Sequence, residues 1–121
     1  MKISDETKEK LLLMLISGKE GNEQSPNLGK VCMIRTYSAG VHFGEVVSKH
    51  KQNVVLKNAR RVWYWDGACS LSQLAMEGSG KISDCKIAMP VNEIELDQVI
   101  EVIPMTSDAI ANLEGAKHWK A

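Results

Sequence analysis

The sequence predicts an α+β fold: a small antiparallel β-sheet arranged as a meander, with an N-terminal helical arm and two short helices. Three observations carry that reading. Between residues 31 and 65 the chain alternates as a strand does, with Val41, Phe43, Glu45 and Val47 on one side and His42, Gly44 and Val46 on the other. Polar clusters at Ser38-Ala39-Gly40 and His50-Lys51-Gln52-Asn53 divide the stretch into three strands joined by turns. Leu71, Leu74 and Ala75 instead have the i, i+3, i+4 spacing of a buried helical stripe.

The first element is a helix over residues 4–18. Ser4 can cap it, Asp5, Glu6 and Glu9 lie where the macrodipole favours acids, and Leu11, Leu12, Met14, Leu15 and Ile16 supply an apolar face. Residues 18–29, with Gly21, Asn22, Ser25, Pro26, Asn27 and Gly29, read as a linker. Residues 1–29 are therefore expected to form an arm and residues 30–121 a single α+β domain. One tethered helix cannot bury its own face, so the arm is expected to pack on the body or on another copy of the chain.

Strands follow at Val31-Cys32-Met33-Ile34, at residues 41–47, and from Val54, the third interrupted by Asn58-Ala59-Arg60-Arg61 before Val62-Trp63-Tyr64-Trp65. Ser70 caps a helix through Met76, which Gly78-Ser79-Gly80 closes. Residues 86–89, 93–96 and 99–103 are the remaining strands, bounded by Pro90 and Pro104. Thr106 or Ser107 caps a last helix with Ala109, Ile110 and Leu113, ended by Gly115.

The 121 residues, 44% hydrophobic and 25% charged, have the composition of one globular domain. The longest strongly apolar run, residues 11–16, falls far short of the ~20 residues that span a bilayer. Acidic Asp5, Glu6 and Glu9 sit where a signal peptide needs positive charge. A cytoplasmic protein with no membrane partner is the expectation. Cys32, Cys69 and Cys85, odd in number and widely spaced, read as reduced thiols without a disulfide framework or zinc pair.

Net charge is zero but unevenly spread, −1 over residues 1–29, +6 over 30–65 and −5 over 66–121. Either basic strands pair with acidic ones inside the fold, or the middle third presents a positive surface suited to phosphate. His42, His50 and His118 are isolated, and no G-x-S-x-G, phosphate-binding glycine loop or H-E-x-x-H occurs. No catalytic residue, metal site or cofactor is therefore assigned, and a binding protein is favoured over an enzyme.

Two runs carry recognition chemistry. In the first, Arg35-Thr36-Tyr37-Ser38-Ala39-Gly40-Val41-His42-Phe43-Gly44, a cation, three hydroxyls and an imidazole crowd one turn. Arg35, Tyr37, Ser38 and His42 become candidates for ribose or phosphate, with Gly40 and Gly44 permitting close backbone approach. In the second, period two sends Arg61, Trp63 and Trp65 to one face and Arg60, Val62 and Tyr64 to the other. Indoles beside a guanidinium suit stacking on a purine and pairing with its phosphate, so Arg60, Arg61, Trp63 and Trp65 are candidates. They suit a small core with snorkelling arginines equally well. The expectation is that one of the two indoles faces ligand and that Tyr64 lies on the core side. The amides of Asn58 and Asn92 complete the set.

Over residues 31–121 the chain resembles a family of small phage and prophage proteins. The first run carries the likeness, with Leu56-Lys57-Asn58-Ala59-Arg60-Arg61 and the Trp-Tyr-Trp cluster, Gly67-Ala68-Cys69-Ser70-Leu71-Ser72-Gln73-Leu74-Ala75, and the segment from Pro90-Val91-Asn92-Glu93-Ile94 to Pro104. That family is similar to the type 1 Thoeris anti-defence proteins, which capture the cyclic ADP-ribose signal of bacterial TIR-domain enzymes. The resemblance implies binding without turnover, a homo-oligomer (dimer or higher) with pockets at subunit interfaces, and cyclic oligonucleotides as further ligands at separate sites. A closed oligomer would also supply the cavity of ~300 Å³ or more that a small chain has little interior to provide. The alternatives are a nucleic-acid-binding module, disfavoured by zero net charge and the lack of a basic stripe, an enzyme cleaving the nucleotide, and a protein that binds only another protein.

Overall fold

The alternation and turn chemistry of residues 31–64 produce three consecutive antiparallel strands, β1 (Val31–Thr36), β2 (Val41–His50) and β3 (Asn53–Tyr64). The structure, a computed structural model, describes residues 25–120. The expected helical arm lies outside them. Of the expected linker, residues 25–29 form turns tied to the sheet, Gly29 N–H donating to the Val46 carbonyl at 2.8 Å.

Helix α1 (Leu71–Glu77) starts where Ser70 accepts from Gln73 N–H at 3.1 Å, and α2 (Ser107–Glu114) where Thr106 accepts from Ala109 N–H at 3.1 Å. Between them lie a short 3-10 turn (Ile82–Asp84) and strands β4 (Lys86–Ile87), β5 (Val91–Leu96) and β6 (Val99–Pro104). β4 is shorter than the expected 86–89 because Ala88 N–H still reaches the Arg61 carbonyl at 2.9 Å while Pro90 has no N–H to continue the ladder. Among the described residues no helix is long and apolar enough to cross a membrane.

The sheet has the order β4-β3-β2-β1-β6, and β5 pairs with β3 beside β4. β5 is antiparallel to β3 and β6 antiparallel to β1, while β1 and β3 both lie antiparallel to β2, so β5 and β6 run in the same direction. Only Asp97 and Gln98 separate them. They act as one bent strand that draws the two edges of the sheet together, Gln98 taking φ +54° at the bend. Gln52 accepts from Val99 N–H at 3.0 Å and Gln98 from Tyr37 N–H at 3.0 Å, which ties both hairpin ends to the bend.

Period two then separates two cores. Cys32, Ile34, Val46, Val54, Leu56, Ala59, Leu96 and Val99 fill the inside of the curled sheet. Met33, Phe43, Val62 and Ile87 face outward and pack under Leu74 and Ala75 of α1 and Leu113 of α2. Each large apolar side chain buried in this way contributes about 1.5–3 kcal/mol relative to exposure. Asn112 pins the helices, its Oδ1 accepting from Ser79 N–H at 2.8 Å and its Nδ2 donating to the Ser79 carbonyl at 3.1 Å.

An irregularity in the middle of β3 sets its faces beyond Asn58. Phe43 pairs with Arg60 but Glu45 with Lys57, so Gly44 faces both Asn58 and Ala59. This is a β-bulge, with Asn58 at φ +53°. Gly44 permits it, since a Cβ there would meet the Ala59 Cα and the Lys57 carbonyl oxygen at 3.0 Å. Gly40 serves differently: it takes φ +82° in the β1–β2 turn and has open space around it.

Candidate functional site

After the bulge, the residues of β3 that share a face with Ala59 are Arg61 and Trp63. Arg61 is half-buried and Trp63 is exposed. Arg61 and Trp63 together flank two adjoining clefts. One, of about 220 Å³, is lined by His42, Ala59, Arg61, Trp63, Ala88, Met89, Val91 and Ile94. The other, of about 400 Å³, lies against the β1–β2 turn and is lined by Ser38, Ala39, Gly40, Arg61, Val62 and Trp63. Neither lining contains a carboxylate.

The Arg61 guanidinium lies over the Trp63 ring at 4.9 Å from its centroid, a cation–π contact, and Trp63 is 54% exposed. Among the described residues Arg61 has no carboxylate partner; the ion pair found there joins Arg35 and Glu101. His42 is buried, and its Nε2 lies 2.9 Å from the Ala39 carbonyl and 3.4 Å from Arg61 Nε. A carbonyl can only accept, so Nε2 carries the proton and donates to Ala39. Arg61 Nε is then a second donor facing the first, and the two touch without a hydrogen bond. Burial pushes the His42 pKa down, the Ala39 hydrogen bond partly restores it and the Arg61 charge lowers it again. Arg61 Nε is therefore turned toward His42, and its two Nη groups are the ones left to meet something that arrives from solvent.

Arg60, one residue away, has the opposite fate. It points to the helix-covered face, is 4% exposed and spends all its donors on carbonyls. Nε donates to Ala88 at 2.7 Å, Nη1 to Leu113 and Glu114 at 3.2 and 3.1 Å, and Nη2 to Ile87 and Ala116 at 3.3 and 3.1 Å. The last carbonyls of α2 form the negative end of its dipole and take the charge. Burial lowers the Arg60 pKa, and the Glu114 charge works against that shift. Arg60 staples β4 and the end of α2 to β3, so it leaves the set of candidate phosphate ligands.

The other sequence candidates divide. Ser38 and His42 join Arg61 and Trp63 at the clefts, though the Ser38 hydroxyl donates to Gln98 Oε1 at 3.2 Å. The Thr36 hydroxyl, one of the three at the turn, donates to the Gly40 carbonyl at 2.9 Å and accepts from Ala39 N–H at 2.8 Å. Tyr37, 78% exposed, faces a separate cleft of about 260 Å³ with Gln52, Gln98 and Ile100. Arg35 is neutralised across the sheet by Glu101 at 2.6 Å. Asn58 and Asn92 are exposed, outside both clefts. Trp65 lies beyond the strand and packs on the outer core. Tyr64, expected on the core side, is instead 49% exposed. The reason is a register shift between Val62 and Tyr64 against Ile87 and Lys86, which makes Trp63 an extra residue and ends the simple alternation.

The charge asymmetry resolves partly within the fold. Lys57 stands opposite both Glu45 and Glu93, and Asn53 donates to Glu95 at 2.8 Å. Sequence reasoning missed Met89, Lys86 and Trp119 near the clefts. His118 forms a bridge to Ile87 and Trp119 N–H donates to the Ile87 carbonyl at 2.9 Å, which brings the Trp119 ring to 6.0 Å from that of Trp63. The available signal was a large aromatic alone in a polar tail between Lys117 and Lys120.

These features define a small α+β domain with a curled sheet, a helix-covered outer face and a cation–aromatic cleft beside its first turn. A guanidinium stacked on an exposed indole can pair with an anionic group and stack on a planar one. The chain belongs to the DUF6948 family, a domain of unknown function, whose family model matches residues 29–113. No curated protein and no solved structure matches the chain.

Proposed function

We propose that this chain is a phage anti-defence protein that captures a nucleotide signal of the cyclic ADP-ribose type in the bacterial cytosol and holds it without cleaving it. The observation that carries the reading is the Arg61 guanidinium, free of any carboxylate among the described residues, stacked 4.9 Å from the exposed Trp63 ring between two clefts. Adenine stacks on the indole, the diphosphate accepts from Arg61, and the Ser38–Gly40 turn meets the riboses. Met89 and Val91 bound the smaller cleft with apolar surface. Holding rather than cleaving fits the lining, since His42 has its Nε2 proton committed to a carbonyl and neither cleft contains an acid. The resemblance of residues 31–121 to the Thoeris anti-defence proteins supports the same reading and carries with it a homo-oligomer and a second class of cyclic oligonucleotide ligand.

Calorimetric titration with cyclic ADP-ribose and its linkage isomers tests this. Arg61→Ala is expected to weaken binding by about 1.5–3 kcal/mol, roughly ten- to a hundredfold, while Arg35→Ala leaves it unchanged. Heating the complex and analysing the released molecule must return it intact. Absence of binding to every isomer, or recovery of a cleaved product, would refute the proposal.

A further inference from the structure

Trp63 is the start of a longer feature. Its ring lies 6.0 Å from that of Trp119 at an interplanar angle of 54°. Lys86 Nζ lies 5.7 Å from the Trp119 ring and 6.0 Å from the Tyr64 ring. With Arg61 over Trp63, the surface reads cation, ring, ring, cation, ring without a break. All three rings are open to solvent, Trp119 42% exposed, Tyr64 49% and Trp63 54%.

The arrangement is fixed by backbone pairing. Tyr64 pairs with Lys86 across β3 and β4, the register shift projects Trp63 from the strand, and the bridge of His118 to Ile87 holds Trp119 in place. Neither Arg61 nor Lys86 has a carboxylate partner among the described residues. A single nucleotide needs one ring and one cation, and this surface continues past both. A duplex reader needs an element that enters a groove and a wide basic face, and this strip is short and narrow.

We propose that Arg61, Trp63, Trp119, Lys86 and Tyr64 form a track for a short single-stranded nucleic acid, whose bases stack on successive rings while its phosphates meet the two cations. The proposal goes beyond the cleft reading and shares with it only Arg61 and Trp63. Stacking tolerates any base, so the track binds without strong sequence preference.

The test is fluorescence anisotropy of the full chain with a labelled oligothymidylate about six nucleotides long, beside a duplex of equal length. The single strand is expected to bind and the duplex to bind far more weakly. With two phosphates neutralised, affinity should fall about sevenfold between about 50 and about 200 mM salt. Trp119→Leu should weaken binding about tenfold or more, and Lys86→Ala, on an exposed side chain, should weaken it and flatten the salt dependence. Equal affinity for the duplex, a flat titration, or unchanged binding in both variants overturns the track. So does a change in sedimenting mass for Trp119→Leu, because the strip is then a contact between copies of the chain. Cyclic ADP-ribose bound equally by wild type and Trp119→Leu, with no oligonucleotide binding, leaves the cleft reading standing and removes the track. The reverse pattern removes the cleft reading alone.

Discussion

Replacing Arg60 by methionine keeps the aliphatic stem but removes every donor from the centre of a carbonyl cluster. Two of the five carbonyls have other partners, since Ile87 accepts from Trp119 N–H at 2.9 Å and Leu113 from Ala116 N–H at 3.2 Å. The carbonyls of Ala88, Glu114 and Ala116 have no other donor among the described residues, and Glu114 is exposed enough to turn to water. Two carbonyls are therefore stranded, at about 1–3 kcal/mol each where water cannot reach. A loss of about 3 kcal/mol follows, set against a total stability of about 5–15 kcal/mol for a domain of ordinary size. At about 4 °C per kcal/mol the melting temperature should drop by about 12 °C. Thermal melts by circular dichroism measure it, with Arg61→Met as the neighbouring control that melts close to wild type. Arg60→Lys, with three donors on a flexible stem, should recover part of the loss. If Arg60→Met melts within about 3 °C of wild type, the carbonyl accounting is wrong.

Gly44→Ala should cost about 1–3 kcal/mol in denaturant titrations, because the new methyl meets β3 backbone at 3.0 Å at the bulge. Since burial holds the His42 pKa below its ordinary value, the unfolded chain protonates first as pH falls. Stability is therefore full above about pH 6.5, drops below it by at most about 1.4 kcal/mol per pH unit, and levels once the folded-state pKa is passed. Melts across that range should show the slope, and His42→Gln should reduce it. Burial pushes the Cys32 thiol up to about 11. Mass spectrometry after alkylation at about pH 8 should find exposed Cys69 labelled and Cys32 unmodified in the native protein.

The elements were legible in the sequence where a local rule governs them. Alternation predicts the meander, and cap chemistry narrows the helix starts to Ser70 and to Thr106 or Ser107, of which Ser70 and Thr106 accept the N–H groups. The joining of β5 and β6 into a strand that closes the sheet was not legible, because it depends on which edges meet and no local pattern records that. Ser38, His42, Arg61 and Trp63, picked out by chemistry alone, line the two clefts. Arg60 and Arg61 looked alike because period two says that they oppose each other but not which faces the helices. Tyr64 was misplaced by a register shift at Trp63 that only the short partner β4 imposes, and of the two indoles Trp63 is the exposed one while Trp65 packs on the outer core. Trp119 could not be placed, since its position follows from a bridge to Ile87 across a large sequence separation.

The bent closing strand also sets a schedule. β1 through β3 are neighbours in sequence and can zip as hairpins as soon as they are made, but Met33 of β1 waits for Ile103, about 70 residues later. During synthesis both outer edges of the meander stay open, each a row of unpaired N–H and carbonyl groups able to capture a strand from another chain. Refolding should accordingly be limited by this late closure, on the milliseconds-to-seconds scale of sheets built from distant pairings, and crowded translation is the moment at which the chain is most exposed to aggregation.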